Sequence, residues 1–128
     1  MRKRKSDTAS KVNKYKVSQV EKRTEDGIVF DSRLECRLYI FLRDNVGLEH
    51  IEFQPVFELQ PKFRDEDGKA IRAIKYQADF LVKDGDRHMV LDAKGMPTPV
   101  YKIKEKMFKY KFNKRIHVIK NNKDMHNF

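Results

Sequence analysis

The sequence predicts one domain of the α/β (α+β) class, and three observations support this prediction. Its 128 residues are enough for a single core of modest size. Several runs alternate apolar and polar residues, which is the pattern of half-buried strands. Two further segments carry apolar residues at the three- and four-residue spacing of amphipathic helices. Nine Phe and five Tyr residues are available to fill the space between these elements.

The chain is predicted to begin with a disordered basic arm over residues 1–14. This segment holds six Lys or Arg residues and almost no apolar ones, so it cannot bury enough surface to offset the entropy lost on ordering. Such an arm either follows a DNA backbone or remains a solvated tail. We expect the folded domain to span residues 15–120 and residues 121–128 to form a frayed tail. The first basic cluster of the arm consists of Arg2, Lys3, Arg4 and Lys5.

A short hairpin and a helix are predicted as the first elements of the domain. The turn sequence at residues 25–27 predicts a hairpin between residues 15 and 30. A helix is predicted over residues 33–44, because its apolar residues fall on one side. Ser32, followed three positions later by Glu35, matches the capping-box pattern of a helix start. The apolar stripe of this helix consists of Leu34, Leu38, Phe41 and Leu42.

Strands are predicted from residue 51 onward. Residues 51–59 alternate in polarity, and Pro55 within them indicates an edge strand or a bulge. Residues 71–82 are expected to form one long strand. The reversing sequence at residues 84–86 then pairs this strand, as a hairpin, with residues 88–94.

A second helix is predicted to begin at Thr98-Pro99, because threonine is a good N-cap and proline suits the first helical position. A last short strand is expected over residues 116–119. The lysines of the helix share a different face from its apolar residues. The expected buried stripe consists of Val100, Ile103, Met107 and Tyr110.

The charge balance points to a polyanionic partner. Lys and Arg total 29 against 19 Asp and Glu, which gives a net charge of +10. Neutralising phosphates releases counterions from nucleic acid, so a basic protein of this kind favours such a partner; the alternative is a basic protein that binds none. No apolar run reaches the ~18 residues of a membrane span, and no membrane partner is expected. The single cysteine, Cys36, cannot form an internal disulfide, which favours a reducing, cytoplasmic location.

Two acidic residues and a lysine stand out near the ends of predicted strands. Side chains alternate in direction along a strand, so Asp92 and Lys94 share a face and lie about 7 Å apart. The hairpin brings Asp79 close to Asp92, so both carboxylates could contact one Mg²⁺ ion, with Mn²⁺ as an acceptable substitute. A backbone carbonyl, that of Ala93, and water would complete the shell. The alternative is that these residues are ordinary turn-forming and surface charges.

In this chain Asp79 is followed by Asp92-Ala93-Lys94, and this series resembles the core motif of the PD-(D/E)xK nucleases. Ala78 stands at the position where the motif often has proline. An ordered series of five stretches resembles a small, prophage-borne endonuclease family within that superfamily. The resemblance runs from residue 13 to residue 120. The stretches are residues 13–15, 27–35, 54–59, 74–80 and 92–98.

The resemblance implies a restriction-endonuclease-like mixed central sheet flanked by helices, and Mg²⁺-dependent cleavage of DNA. By matching positions, Asp79 and Asp92 would be metal ligands and Lys94 the catalytic lysine. Glu35 matches an extra acidic residue that many members bring to the metal, and the capping box explains it equally well. Glu58 could also reach the site, but a solvated strand face explains that residue as well.

DNA is the expected partner. Analogy with junction resolvases of this fold and size suggests branched DNA, a homodimer, and a role in phage recombination or replication inside a bacterial host. The alternatives are a nicking or restriction-type endonuclease and a DNA-binding module that kept the fold and lost the reaction. The histidines lack the spacing of a zinc site, and no Gly-rich phosphate loop is present. Besides the basic arm, the residues expected to contact DNA are Lys102, Lys104, Lys106 and Lys109.

Overall fold

A four-stranded mixed sheet lies at the centre of the fold. The structure, a computed structural model, describes residues 19–127. Within these residues the strands are β1 (Thr24–Glu25), β2 (Ile28–Val29), β3 (Ile51–Phe53), β4 (Val56–Gln60), β5 (Phe63–Arg64), β6 (Ala70–Ile71), β7 (Ile74–Gln77), β8 (Phe80–Asp84), β9 (Arg87–Ala93) and β10 (Ile116–Ile119). The central sheet has the order β10-β9-β8-β3, and only β9 and β10 are parallel. The predicted mixed α/β class is therefore confirmed.

The hairpin predicted around residues 84–86 is confirmed. β8 pairs with β9 in antiparallel fashion, and Asp84 lies opposite Arg87 at the turn. Gly85 takes a φ of 64° there, a left-handed conformation that glycine adopts without steric cost. The parallel strand β10 then lies on the outer side of β9, so β9 is paired along both edges.

The single strand predicted over residues 71–82 is wrong, because this stretch contains parts of β6, β7 and β8. β7 lies outside the central sheet and pairs with β4. The backbone changes partner at Ala78, whose N–H donates to Pro55 O over 3.0 Å, and at Asp79, whose N–H donates to Leu91 O over 3.2 Å. Asp79 therefore stands where the chain passes from one sheet to the other.

The strand predicted over residues 51–59 is likewise divided, into β3 and β4. Gln54 has a φ of 52°, which ends the extended conformation, and Pro55 has no N–H to donate to a neighbouring strand. β3 pairs with β8 in the central sheet, whereas β4 pairs with β7. The irregularity expected at Pro55 is thus a complete break between two sheets.

Two α-helices cover opposite faces of the central sheet: α1 (Arg33–Asn45) and α2 (Pro99–Phe112). The alternation of β9 decides which side chains meet which helix. Leu91 packs in the cluster of buried residues that contains the inner face of α1, whereas its neighbour Val90 packs with residues of α2. The predicted stripe of α1 is confirmed at its centre, since Leu38 and Leu42 are fully buried.

The buried stripe predicted for α2 is wrong except at Met107, which is half-buried and packs against the core. Val100, Ile103 and Tyr110 are exposed, and the helix instead buries Tyr101 and Phe108. These rings join an aromatic cluster that also contains Phe57 of β4 and Tyr76 of β7. The face of α2 that carries Tyr101 and Phe108 is therefore the one turned inward.

The two ends of the predicted domain also differ from expectation. The hairpin near residue 26 is confirmed, but its strands are the short β1 and β2, and Val20–Arg23 form a 3₁₀ helix before it. Residues 121–128 were expected to form a frayed tail; instead Asn122–Asn127 form a 3₁₀ helix with Met125 buried against α1. The predicted basic arm lies outside the described residues. Of the helices within the described part of the chain, none combines the length and apolar character that a bilayer span requires.

Candidate active site

Asp79 and Asp92 lie together at one end of the central sheet. Asp92 belongs to β9 and is only 2% exposed, whereas Asp79 is half-buried in the connection between β7 and β8. Asp79 Oδ2 accepts a hydrogen bond of 2.7 Å from the N–H of Ala93. Together with the bond from the Asp79 N–H to Leu91 O, this contact holds Asp79 against the strand that carries Asp92.

Asp92 has two partners on the face of β9 that α2 covers. Lys94 Nζ lies 3.5 Å from Asp92 Oδ2, as expected from their positions on one face of the strand. The hydroxyl of Tyr76 donates to the same oxygen over 2.6 Å. A buried carboxylate is costly unless it is paired or hydrogen-bonded, so these two contacts stabilise Asp92 in its place.

A chain of polar contacts leads from Lys94 along α2. Lys94 Nζ lies 4.8 Å from the ring centroid of Tyr101, and the Tyr101 hydroxyl lies 3.5 Å from Glu105 Oε2. One turn further, Lys109 Nζ lies 4.0 Å from the same carboxylate. Burial raises the pKa of Tyr101, so its hydroxyl stays protonated at neutral pH. These contacts connect the buried end of the site with the basic surface of α2.

Glu35 lies at the start of α1, where it takes part in the helix start. It also forms an acidic cluster with Asp79 and Asp92. Its N–H donates to Ser32 Oγ over 3.0 Å, which confirms the predicted N-cap. Its Oε1 accepts from the N–H of Asp31 over 3.2 Å, one residue before the cap. The side chain is only 6% exposed, and burial raises its pKa, with the charges of Asp31 and Asp92 adding to the effect. The two interpretations of Glu35 are therefore compatible.

The surroundings of Asp79 strongly perturb the pKa of its carboxyl group. Burial raises the pKa of this carboxyl to about 8, and the neighbouring Asp92 and the charge of Glu35 act in the same direction. The hydrogen bond from the Ala93 N–H opposes the shift but does not cancel it. Near neutral pH Asp79 therefore tends to retain a proton.

Clustered acidic oxygens of this kind fit a hard divalent cation such as Mg²⁺. Asp79, Asp92 and Glu35 supply the oxygens, and added positive charge would offset the repulsion among these acidic groups. Asp79 and Asp92 each direct Oδ2 to a protein donor. Among residues 19–127, no group of three His, Cys, Asp or Glu side chains is already arranged to hold a metal ion.

Glu58 is not brought to this cluster. It is exposed on β4, opposite Lys75 of β7, whereas the adjacent pair Phe57 and Tyr76 occupies the other face of the ribbon. Because Tyr76 is the residue that reaches Asp92, Glu58 points away from the acidic cluster. Its role as a ligand remains a prediction without geometric support.

The predicted DNA-contacting lysines of α2 lie on the surface beyond the site. Lys102, Lys106 and Lys109 are exposed, and Lys104 is partly buried. Lys109 is connected to the site through its ion pair with Glu105. Arg2, Lys3, Arg4 and Lys5 lie outside the described residues.

Sequence reasoning missed Tyr76 and Tyr101 as members of the site. A buried tyrosine hydroxyl normally finds a polar partner, so each was a candidate to contact the acidic residues. The contact of Tyr76 could not be predicted because residues 71–82 were expected to form one strand. In the structure the backbone changes partner at Ala78, and the Tyr76 hydroxyl reaches Asp92. Tyr101 was hidden because another face of α2 looked more apolar.

Comparison with known protein families gives a match over most of the chain. The family model described as "Protein of unknown function (DUF1064)" matches residues 12–126. The matched range contains every residue of the acidic cluster and both helices. Neither a curated protein nor a solved structure matches the chain.

Proposed function

This chain belongs to the DUF1064 family, and we propose that it is a metal-dependent DNA endonuclease that hydrolyses phosphodiester bonds. The observation that carries the proposal is the cluster of Asp79 and Asp92, with Lys94 Nζ 3.5 Å from Asp92 Oδ2. The pKa of Asp79 is raised by burial and by neighbouring acidic groups, and strongly perturbed carboxyl groups of this kind cluster at functional sites.

In this proposal Asp79 and Asp92 hold Mg²⁺ or Mn²⁺, with Glu35 and the Ala93 carbonyl as further ligands. When bound, such an ion activates a water molecule and neutralises charge on the phosphate. Tyr76 keeps Asp92 in position through its 2.6 Å hydrogen bond. Lys94, which lies between Asp92 and the Tyr101 ring, would stabilise negative charge that develops on the phosphate oxygens.

The charge of the chain supports DNA as the substrate. The net charge is +10, and the contacts from Lys94 through Glu105 to Lys109 join the acidic site to exposed lysines. A phosphate in the site would therefore have positive charge along the flanking backbone. Branched DNA, a homodimer and a cytoplasmic, phage-encoded origin extend the proposal through the resemblance noted above. Light scattering in solution tests the dimer.

Cleavage assays on a four-way junction, a fork, a flap and a linear duplex, with and without Mg²⁺, test the proposal. We expect Mg²⁺-dependent cutting that Asp79→Asn and Asp92→Asn abolish while DNA binding persists. Asp86→Asn is the matched control, because Asp86 lies at the turn between β8 and β9 and is exposed. Wild-type activity in either site variant would refute the site. DNA binding without cleavage in any metal would favour the non-catalytic module, and the preferred substrate separates a junction-cutting enzyme from a nicking or restriction-type one.

A further inference from the structure

Helix α2 carries an apolar stripe that the fold leaves largely exposed, since only its Met107 packs partly against the core. Val100 and Ile103 are each 61% exposed, and Tyr110 is 92% exposed. Together with half-buried Met107 they occupy positions i, i+3, i+7 and i+10, so they line one side of the helix over three turns. The inward face of α2 carries Tyr101 and Phe108. We refer to Val100, Ile103, Met107 and Tyr110 as the outer stripe.

Lysines border the outer stripe on both sides. Successive residues of a helix are rotated by about 100°, which places Lys102 and Lys106 on one side of the stripe and Lys104 and Lys111 on the other. Lys102, Lys106 and Lys111 are exposed. Lys111 Nζ donates to Glu58 O over 2.7 Å, which keeps that amine close to the helix and β4. The surface therefore has an apolar centre and positive charge along its two long edges.

We propose that the outer stripe is a docking surface for an acidic amphipathic helix of a protein partner. Protein interfaces combine an apolar centre with a polar rim, and an amphipathic helix laid along the stripe would cover its aliphatic side chains. Aspartate or glutamate on both flanks of that helix would face the two rows of lysines. This proposal does not depend on the nuclease function, because it is argued from the exposure of the outer stripe and the lysines beside it.

Two other possible occupants, a second copy of this chain and DNA, fit the same surface less well. A second copy of α2 would place lysine rows against lysine rows, and like charges at an interface oppose association. DNA would satisfy the lysines but not the apolar centre. Of the outer stripe only Tyr110 has a polar side-chain atom, so the stripe has almost no means of reading the donors and acceptors of base edges.

The test uses a synthetic peptide of about 18 residues, long enough to form a helix. The peptide carries leucines along one face, glutamates on both flanks and a fluorophore for anisotropy measurements. We expect the wild-type protein to bind it, and the double variant Val100→Gln, Ile103→Gln to bind about tenfold or more weakly, since two apolar contacts are lost. Glutamine is a good helix former, and a thermal melt verifies that the double variant remains folded.

Two controls separate this effect from a general loss of apolar surface or charge. Val29→Gln with Leu48→Gln changes two exposed apolar residues elsewhere (54% and 49% exposed) and should leave peptide binding unchanged. A peptide with lysine in place of glutamate should not bind the wild-type protein.

Four results would overturn the proposal. The first is no binding of the glutamate peptide, and the second is equal weakening in the control variant. The third is a similar loss of affinity for a DNA duplex in the stripe variant, which would show that the stripe faces DNA. The fourth is a wild-type dimer in light scattering that the stripe variant converts to a monomer, which would assign the surface to a second copy. Loss or absence of DNA cleavage has no bearing on any of them.

Discussion

Replacing Asp79 with asparagine should change how the stability of the fold depends on pH. The folded-state pKa of Asp79 is raised from 3.8 to about 8, mainly by burial. Between these two values the folded chain holds a proton on Asp79 that the unfolded chain has released. The wild-type protein therefore loses stability as pH rises through this window, by up to about 1.4 kcal/mol per pH unit. Asparagine does not titrate, so the variant lacks this loss.

The expected effect follows from the width of the window. From pH 5.5 to 7.5 the full shift would change the relative stability by about 2.7 kcal/mol. Because Asp79 is only half-buried and shares its proton with neighbouring acids, we expect roughly half of this, on the order of 1–2 kcal/mol. For a domain of this size, that corresponds to a rise of about 4–8 °C, between pH 5.5 and pH 7.5, in the melting temperature of Asp79→Asn relative to that of wild type. The amide oxygen of asparagine can still accept from the Ala93 N–H, so the local backbone contact is retained.

Thermal melts at half-unit pH steps, followed by circular dichroism without divalent metal, provide the measurement. The curve for Asp79→Asn should rise above the wild-type curve as pH increases, whereas exposed Asp86→Asn should run parallel to wild type. A difference between Asp79→Asn and wild type that stays constant from pH 5.5 to 7.5 would refute the reasoning, because it would mean that Asp79 has an ordinary pKa in the folded chain.

Three further predictions test the surroundings of the site and the end of the chain. At pH 7.5, Mg²⁺ at about 100 times its dissociation constant should stabilise the wild-type protein by about 2.7 kcal/mol; calorimetric melts of Asp92→Asn should show little of this gain, and an equal gain would place the ion elsewhere. Tyr76→Phe removes the donor to Asp92 Oδ2 and should cost about 1.5–3 kcal/mol in urea unfolding, because the hydrogen bond is made to an acidic group. The same change should weaken Mg²⁺ binding in titration calorimetry by about 10–100-fold, and unchanged affinity would remove Tyr76 from the site. Met125→Ala should cost about 2–4 kcal/mol in the same unfolding assay, since Met125 is 4% exposed in the core; a loss below 0.5 kcal/mol, the usual limit for surface changes, would contradict its docking.

Local patterns in the sequence predict the hairpin of β8 and β9 and the shared face of Asp92 and Lys94. Both depend on neighbours in the chain: a turn signal and the two-residue alternation of a strand. The position of Asp79 followed from the same hairpin. This part of the candidate site could therefore be derived without tertiary information.

The division of two predicted strands and the inward face of α2 could not be derived in this way. At Gln54 and Ala78 the chain passes between sheets, and pairing partners distant in sequence decide where each strand ends. Helix α2 has two apolar faces of similar length. The rings of Phe57 and Tyr76, which lie on other elements, select the one that is buried. The Tyr76 contact to Asp92 depends on both of these long-range choices.

The parallel pairing of β9 with β10 has a consequence for synthesis of the protein on the ribosome. Lys94 N–H donates to Ile119 O over 3.0 Å, so the strand bearing Asp92 gains its second neighbour only after residues 116–119 have been translated. Until then the nascent chain has an open edge along β9, which is a template for pairing with other chains. Fragments that stop before residue 116 should therefore aggregate rather than retain partial activity.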